Sequence, residues 1–166
     1  MKYYVADFDD ADFVHSEQRY VDYISTIWDS LPLGLRLLCD RRAPFSPEHI
    51  YLNDSNIQRI HTNFTKGSVE LILLGECLAQ DGTQIGSRLL TLKYGAVETL
   101  SCNGSYNYVF PFEELYSDHV WDEVEIIEQG LFEHRMLFVG HGSVELSIVF
   151  REFSISYVDT LHSGGM

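Results

Sequence analysis

Two periodicities divide this chain. From about Asp12 the residues Phe13, Tyr20, Tyr23, Ile24, Ile27, Trp28 and Leu31 recur at the three- and four-residue spacing of an amphipathic helix. The spacing predicts a helix over 12–30, with Asp9, Asp10 and Asp12 placed at its positive end. Pro32 and Gly34 break it, and LGLRLLCDRR predicts a further helical turn or two before Pro44 and Pro47.

From Ile50 the pattern becomes short β-branched and aromatic runs punctuated by glycine. Strands are predicted near 57–64, 68–78, 87–94, 96–101, 106–110, 120–128, 131–139 and 143–157, with a loop over 111–119 and a short strand in KYYVADF near the start. Runs this short, with turn signals about every ten residues, mark an antiparallel meander. The expected fold class is therefore α+β, predominantly antiparallel β, as a sandwich or partly open barrel with one N-terminal amphipathic helix packed on it. No linker separates helix from strands, so we expect one domain over 1–166: helix 12–30, β-rich body 50–158 and tail 159–166.

The strand faces follow from registers. In WDEVEIIEQGLFEHRMLFVGHGSVELSIVF, a three-residue turn at Glu128-Gln129-Gly130 pairs Ile127 with Leu131. Val124 and Ile126 then share a face with Phe132, His134, Met136 and Phe138, and a three-residue turn at 140–142 extends that face to Val144, Leu146, Ile148 and Phe150. Glu123, Glu125, Glu133, Arg135 and Glu145 fall on the other face, expected to meet solvent, with Glu123 across from Arg135. After Phe150 the alternation changes phase, and a bulge near Arg151-Glu152 would return Phe153, Ile155 and Tyr157 to the core side. Earlier, a two-residue Lys66-Gly67 turn aligns Phe64, Thr62 and Ile60 with Val69, Leu71 and Leu73. Both hairpins exit through GSVEL (67–71 and 142–146), in which glycine closes a turn, Val and Leu face inward and Glu faces out.

These registers supply the candidate chemistry. His134 stands in an otherwise apolar stripe, either as a core histidine with a satisfied hydrogen bond or as a base or ligand at a pocket floor. His61, near Arg59 and Glu70 on the other face of that hairpin, forms a polar patch able to touch a ligand or to lie half-covered under a helix. DFDDAD lacks the glycine and distal glutamate of a calcium loop and is better read as helix capping. No nucleophile, phosphate-loop, dinucleotide or zinc motif is present, so no catalytic residue, metal or cofactor is assigned.

Charge narrows the partners. Twenty-five acidic against 11 basic residues give a net charge of −14. Such a field repels phosphate backbones and anionic lipid, which argues against nucleic acid and membrane surfaces and favours a basic protein. Cys39, Cys77 and Cys102 are odd in number and widely spaced, as suits a reducing, cytoplasmic setting.

The stretches IYLNDSNIQRI, GSVELILL and LLTLKYGAV, within residues 50–97, resemble small uncharacterised bacterial domains, some of them of the immunity-protein-like kind. Asn53 stands where histidine is frequent in that pattern, and no functional residue carries over. The resemblance implies a bacterial module that acts by binding, and an acidic surface would suit a basic toxin. Three functions stand open: a non-enzymatic binder of a basic protein, a ligand-binding protein or enzyme with a pocket between helix and sheet near His134 or His61, and a domain that self-associates through an edge strand. The oligomeric state is open as well.

Overall fold

The computed structural model describes Lys2 and residues 10–40, 50, 52, 54–78, 83–104, 118–139 and 143–161. The expected strands in KYYVADF and at 106–110, the loop at 111–117, the turn residues 140–142 and the last five tail residues lie outside the described residues.

Helix α1 (Asp10–Ile27) continues into a 3-10 turn, Trp28–Ser30, and a short helix α2 (Leu33–Cys39) follows. Ser16, Tyr20 and Ile24, four residues apart, form the buried face of α1, with Tyr23 and Ile27 partly buried beside them. Pro32 ends the turn, and Arg36 ties the connection by donating to the carbonyls of Leu31 and Asp29.

Eight strands follow: β1 (Asn56–Asn63), β2 (Ser68–Leu78), β3 (Gln84–Gly95), β4 (Thr99–Gly104), β5 (Asp118–Glu128), β6 (Leu131–Val139), β7 (Ser143–Phe150) and β8 (Glu152–Leu161). They form two four-stranded antiparallel sheets, ordered β1-β2-β3-β8 and β4-β7-β6-β5. The α+β class and the mainly antiparallel strands match the periodicities. β8 runs to Leu161, into the segment expected as tail.

The two sheets share a corner. The β3–β8 ladder ends at Gly95↔Glu152 and the β4–β7 ladder begins at Thr99↔Val149. Only Arg151 separates β7 from β8, and only residues 96–98 separate β3 from β4. Arg151 N donates to Gly95 O, and Glu98 N donates to Val149 O at 2.8 Å, so hydrogen bonding carries through the bend. The expected bulge at 151–152 is thus the place where a strand leaves one sheet and enters the other. Phe150 and Phe153, on either side of it, both pack on Tyr94.

Between the sheets lies one core in which Leu71, Leu73, Leu90 and Leu92 of one sheet face Phe132, Met136, Phe138 and Ile148 of the other. The body of the β5–β6 pairing is as expected, with Val124↔His134 and Glu123↔Arg135. Its turn holds two residues rather than three, because Ile127 is bulged out and Glu128 pairs with Leu131. Gly130 takes the left-handed conformation at φ 72°. Val139 pairs with Ser143, leaving three residues in that connection.

Two expectations are corrected. In the first hairpin, Asn63 pairs with Ser68 across a four-residue turn, two residues out of the expected register. A slip of two keeps every face, so Ile60 and Thr62 stay on the inner side but pair with Leu71 and Val69 instead of Leu73 and Leu71, and Phe64 sits in the turn, 90% exposed. In the other sheet, Glu123 is only 1% exposed. The backbone N–H of Lys2 donates to its Oε2 at 2.8 Å and Arg135 lies across from it, so a distant part of the chain covers a face expected to meet solvent.

Candidate functional site

His134 is fully buried on the inner face of β6. The hydroxyl of Tyr94, on the facing sheet, lies 2.8 Å from its Nδ1. Its Nε2 faces Asp122 Oδ2 at 3.7 Å, beyond hydrogen-bond length. Asp122 is 1% exposed. Burial, and then the Asp122 charge, push the Tyr94 phenol well above its usual range, so it keeps its proton. A polar chain thus runs from Tyr94 on one sheet through His134 to Asp122 on the other. His134 is therefore a core residue with one nitrogen hydrogen-bonded, and among the described residues no cleft reaches it. Two residues of this chain escaped sequence reasoning. Asp122 was findable, since the alternation that turns Val124 inward also turns the residue two before it; Tyr94 required the sheet pairing.

The other candidates lie elsewhere. His61 pairs with Glu70 and Arg59 with Ile72, on the outer face of the β1–β2 ladder. His61 and Arg59 are exposed, and Glu70 forms an ion pair with Lys93 of β3 at 3.2 Å. The structure thus keeps His61, Arg59 and Glu70 together as a surface patch and separates them from His134 by the thickness of a sheet.

A second polar cluster lies on the inward side of β2, β3 and β8, at the end away from the corner. Arg88 grips Asp159, directly opposite it, with Nε at 2.7 Å and Nη2 at 2.9 Å. The guanidinium lies 4.3 Å from the ring centroid of Tyr157, and Cys77 Sγ is 4.0 Å from Nη2. The hydrogen bonds and charge of Arg88 hold the Asp159 carboxyl below its usual range, whereas burial and Asp159 push the Cys77 thiol up. The thiol is thereby kept protonated and weakly nucleophilic.

Outside the second sheet, Arg135 bridges Glu123, Glu125 and Glu133, and Ser147 donates to Glu133 at 2.6 Å. Burial raises the Glu133 carboxyl, but Ser147 and Arg135 outweigh it and the net displacement is downward. A cleft of 310 Å³ opens between α1 and α2, lined among the described residues by Val21, Ile24, Ser25, Trp28, Asp29, Cys39 and Asp40. It lies neither at His134 nor at His61, where a pocket was looked for. The described residues contain no group of three or more His, Cys, Asp or Glu able to hold a metal ion, and no helix of the described chain is long and apolar enough to cross a membrane.

Compared with known proteins, the chain matches no family model and no curated protein.

Proposed function

We propose that this protein is a non-enzymatic interaction module whose acidic surface holds a basic protein partner, in the manner of an immunity protein, and that it works in the cytoplasm. One observation carries the reading: nearly half of the few cations are engaged by the chain's own carboxylates. Of 11 basic residues, five, Lys2, Arg88, Lys93, Arg135 and Arg151, are bound in ion pairs with the chain's own carboxylates. The net charge of −14 is thus offset by few remaining cations, and such a field speeds encounter with a cation. Burial of His134, Asp122 and Tyr94 supports the same reading, since this arrangement, which among the described residues most resembles acid–base machinery, lies away from solvent. The test is association kinetics against a panel of small basic proteins, with acidic proteins of equal size as controls. We expect binding by a basic member with an on-rate that falls steeply between about 50 and 500 mM salt. An on-rate indifferent to salt, or equal binding of acidic controls, rejects the proposal.

A second reading rests on the α1–α2 cleft, where an apolar floor and Trp28 sit beside Asp29 and Asp40. It fits a small organic cation with an apolar body. Titration with benzylamine, followed by NMR at the Trp28 indole and the Ile24 methyl groups, would leave both signals unmoved if the cleft binds nothing of this kind.

A further inference from the structure

The two sheets end in four edge strands, and three are blunted. At β5, Tyr20 and Tyr23 of α1 accept hydrogen bonds from the outward N–H groups of Val124 and Ile126, at 2.7 and 3.0 Å. β1 is bulged between Ile57 and Arg59 and carries Arg59 and His61. β4 is six residues long and ends on Asn103-Gly104. Short edges, bulges, charges and covering helices are the usual guards against strand-to-strand association.

Among the described residues, none of these guards protects β8 over most of its length. Its first residues are covered by α2: a methyl placed on Gly34 would come within 3.0 Å of the Phe153 ring and 3.4 Å of the Phe153 carbonyl oxygen. From Ser154 to Thr160 the strand is regular, pairs on one side with β3, and is exposed at every position except Ile155. The segment has no proline and no glycine. Its single charge, Asp159, is already held by Arg88. On the outer face Val158, 67% exposed, ends a cross-strand row with Leu89 and Leu74 that runs straight to the open edge.

We propose that β8 pairs with β8 of a second copy of this chain, antiparallel about a two-fold axis near Tyr157, joining two four-stranded sheets into one of eight strands. Two observations select a second copy over a basic partner. The edge is locally neutral, so two chains of charge −14 meet there without opposing like charges, and a cationic partner gains nothing from it. The pairing is also self-complementary, because an antiparallel ladder between identical strands satisfies both copies by one symmetric contact. On the outer face Val158 then lies opposite Ser156 of the second copy and diagonal to its Val158, so the two Leu74-Leu89-Val158 rows end side by side at the seam. A seven-residue ladder falls at or below the ~1,200 Å² lower end of specific interfaces, so the dimer is a weak one that forms and dissociates with concentration.

The experiment is sedimentation of the whole protein from about 1 µM to about 1 mM, with hydrogen exchange at both limits. We expect a monomer–dimer transition accompanied by protection of amides in 154–160. Val158→Lys and Val158→Glu, at an exposed site where folding is easily checked by circular dichroism, each weaken the dimer at least about tenfold, since either sign repels its own copy. A monomer throughout the range, a dimer indifferent to both variants, or a dimer formed without new protection in 154–160 overturns the proposal. So does opposite behaviour of the Lys and Glu variants, which would assign the edge to a charged partner.

Discussion

The two polar clusters on the inward faces of the sheets invite comparison. Arg88 and Asp159 meet at the rim, in a paired, two-point contact that leaves the Asp159 side chain 28% exposed. His134, Tyr94 and Asp122 meet deep in the core, with one good hydrogen bond and one contact too long to be one. The rim pair is geometrically the better interaction, yet losing Arg88 should matter less to stability, because Asp159 is open enough for water to take its place. The core chain is loosely joined but cannot be replaced, because each member is what makes the burial of the next tolerable. Position, more than bond length, sets how much each cluster contributes.

The sharpest way to break this comparison is His134→Leu. It leaves the buried Tyr94 hydroxyl without its Nδ1 partner and takes the imidazole from beside buried Asp122, and should cost about 3 kcal/mol or more in urea unfolding at neutral pH. A cost below that of removing Arg88 would reverse the ranking. Tyr94→Phe takes the hydrogen bond from Nδ1 and should cost about 1–3 kcal/mol. Combined with His134→Leu it should add less than its own single effect, which a double-mutant cycle measures. Arg88→Met frees a carboxylate that can turn to water, so about 1 kcal/mol is expected.

The rim pair also predicts a pH dependence. The folded-state pKa of Asp159 is depressed, so the pair's contribution is present above the unfolded carboxylate value, near ~4, and is lost as pH falls through the lower folded value. Asp159→Asn should therefore lower stability at pH 7 and flatten its decline below about pH 5, measured as unfolding midpoints across pH. The smallest effect concerns the thiols. Cys102 is exposed and should react with a maleimide in the native protein, while Cys39 and Cys77, both buried, should react only on unfolding. Native labelling of Cys77 would mean that the rim opens further than its geometry suggests.

Alternation made the inner face of β5, β6 and β7 legible, because only one parity gathers Val124, Phe132, Met136 and Ile148 on one side. The same alternation could not tell that Glu123 is buried, since its cover, Lys2, stands 121 residues away. Nor could it tell the first hairpin's register from one two residues off, because both keep the same faces and differ only in the fate of Phe64. The phase change after Phe150 was visible as a bulge, yet its meaning, passage between sheets, depends on Gly95 and Glu98 meeting it from another strand. Of the candidate sites, His134 was visible as an anomaly in a stripe. Its partners came from an omitted step in the alternation, Asp122, and from the opposite sheet, Tyr94. The α1–α2 cleft left no trace in either period, because it arises from how two helices meet.

The corner at Arg151 has a consequence for how the molecule comes apart. Because β3 runs on into β4 and β7 into β8 at one bend, each sheet holds half of two strand pairs whose other halves belong to its neighbour. Neither sheet can peel away without pulling open a ladder in the other. Loss of structure is therefore shared, and the strands should melt as a single cooperative unit, with amides of β3 and β7 exchanging at one common rate set by global unfolding.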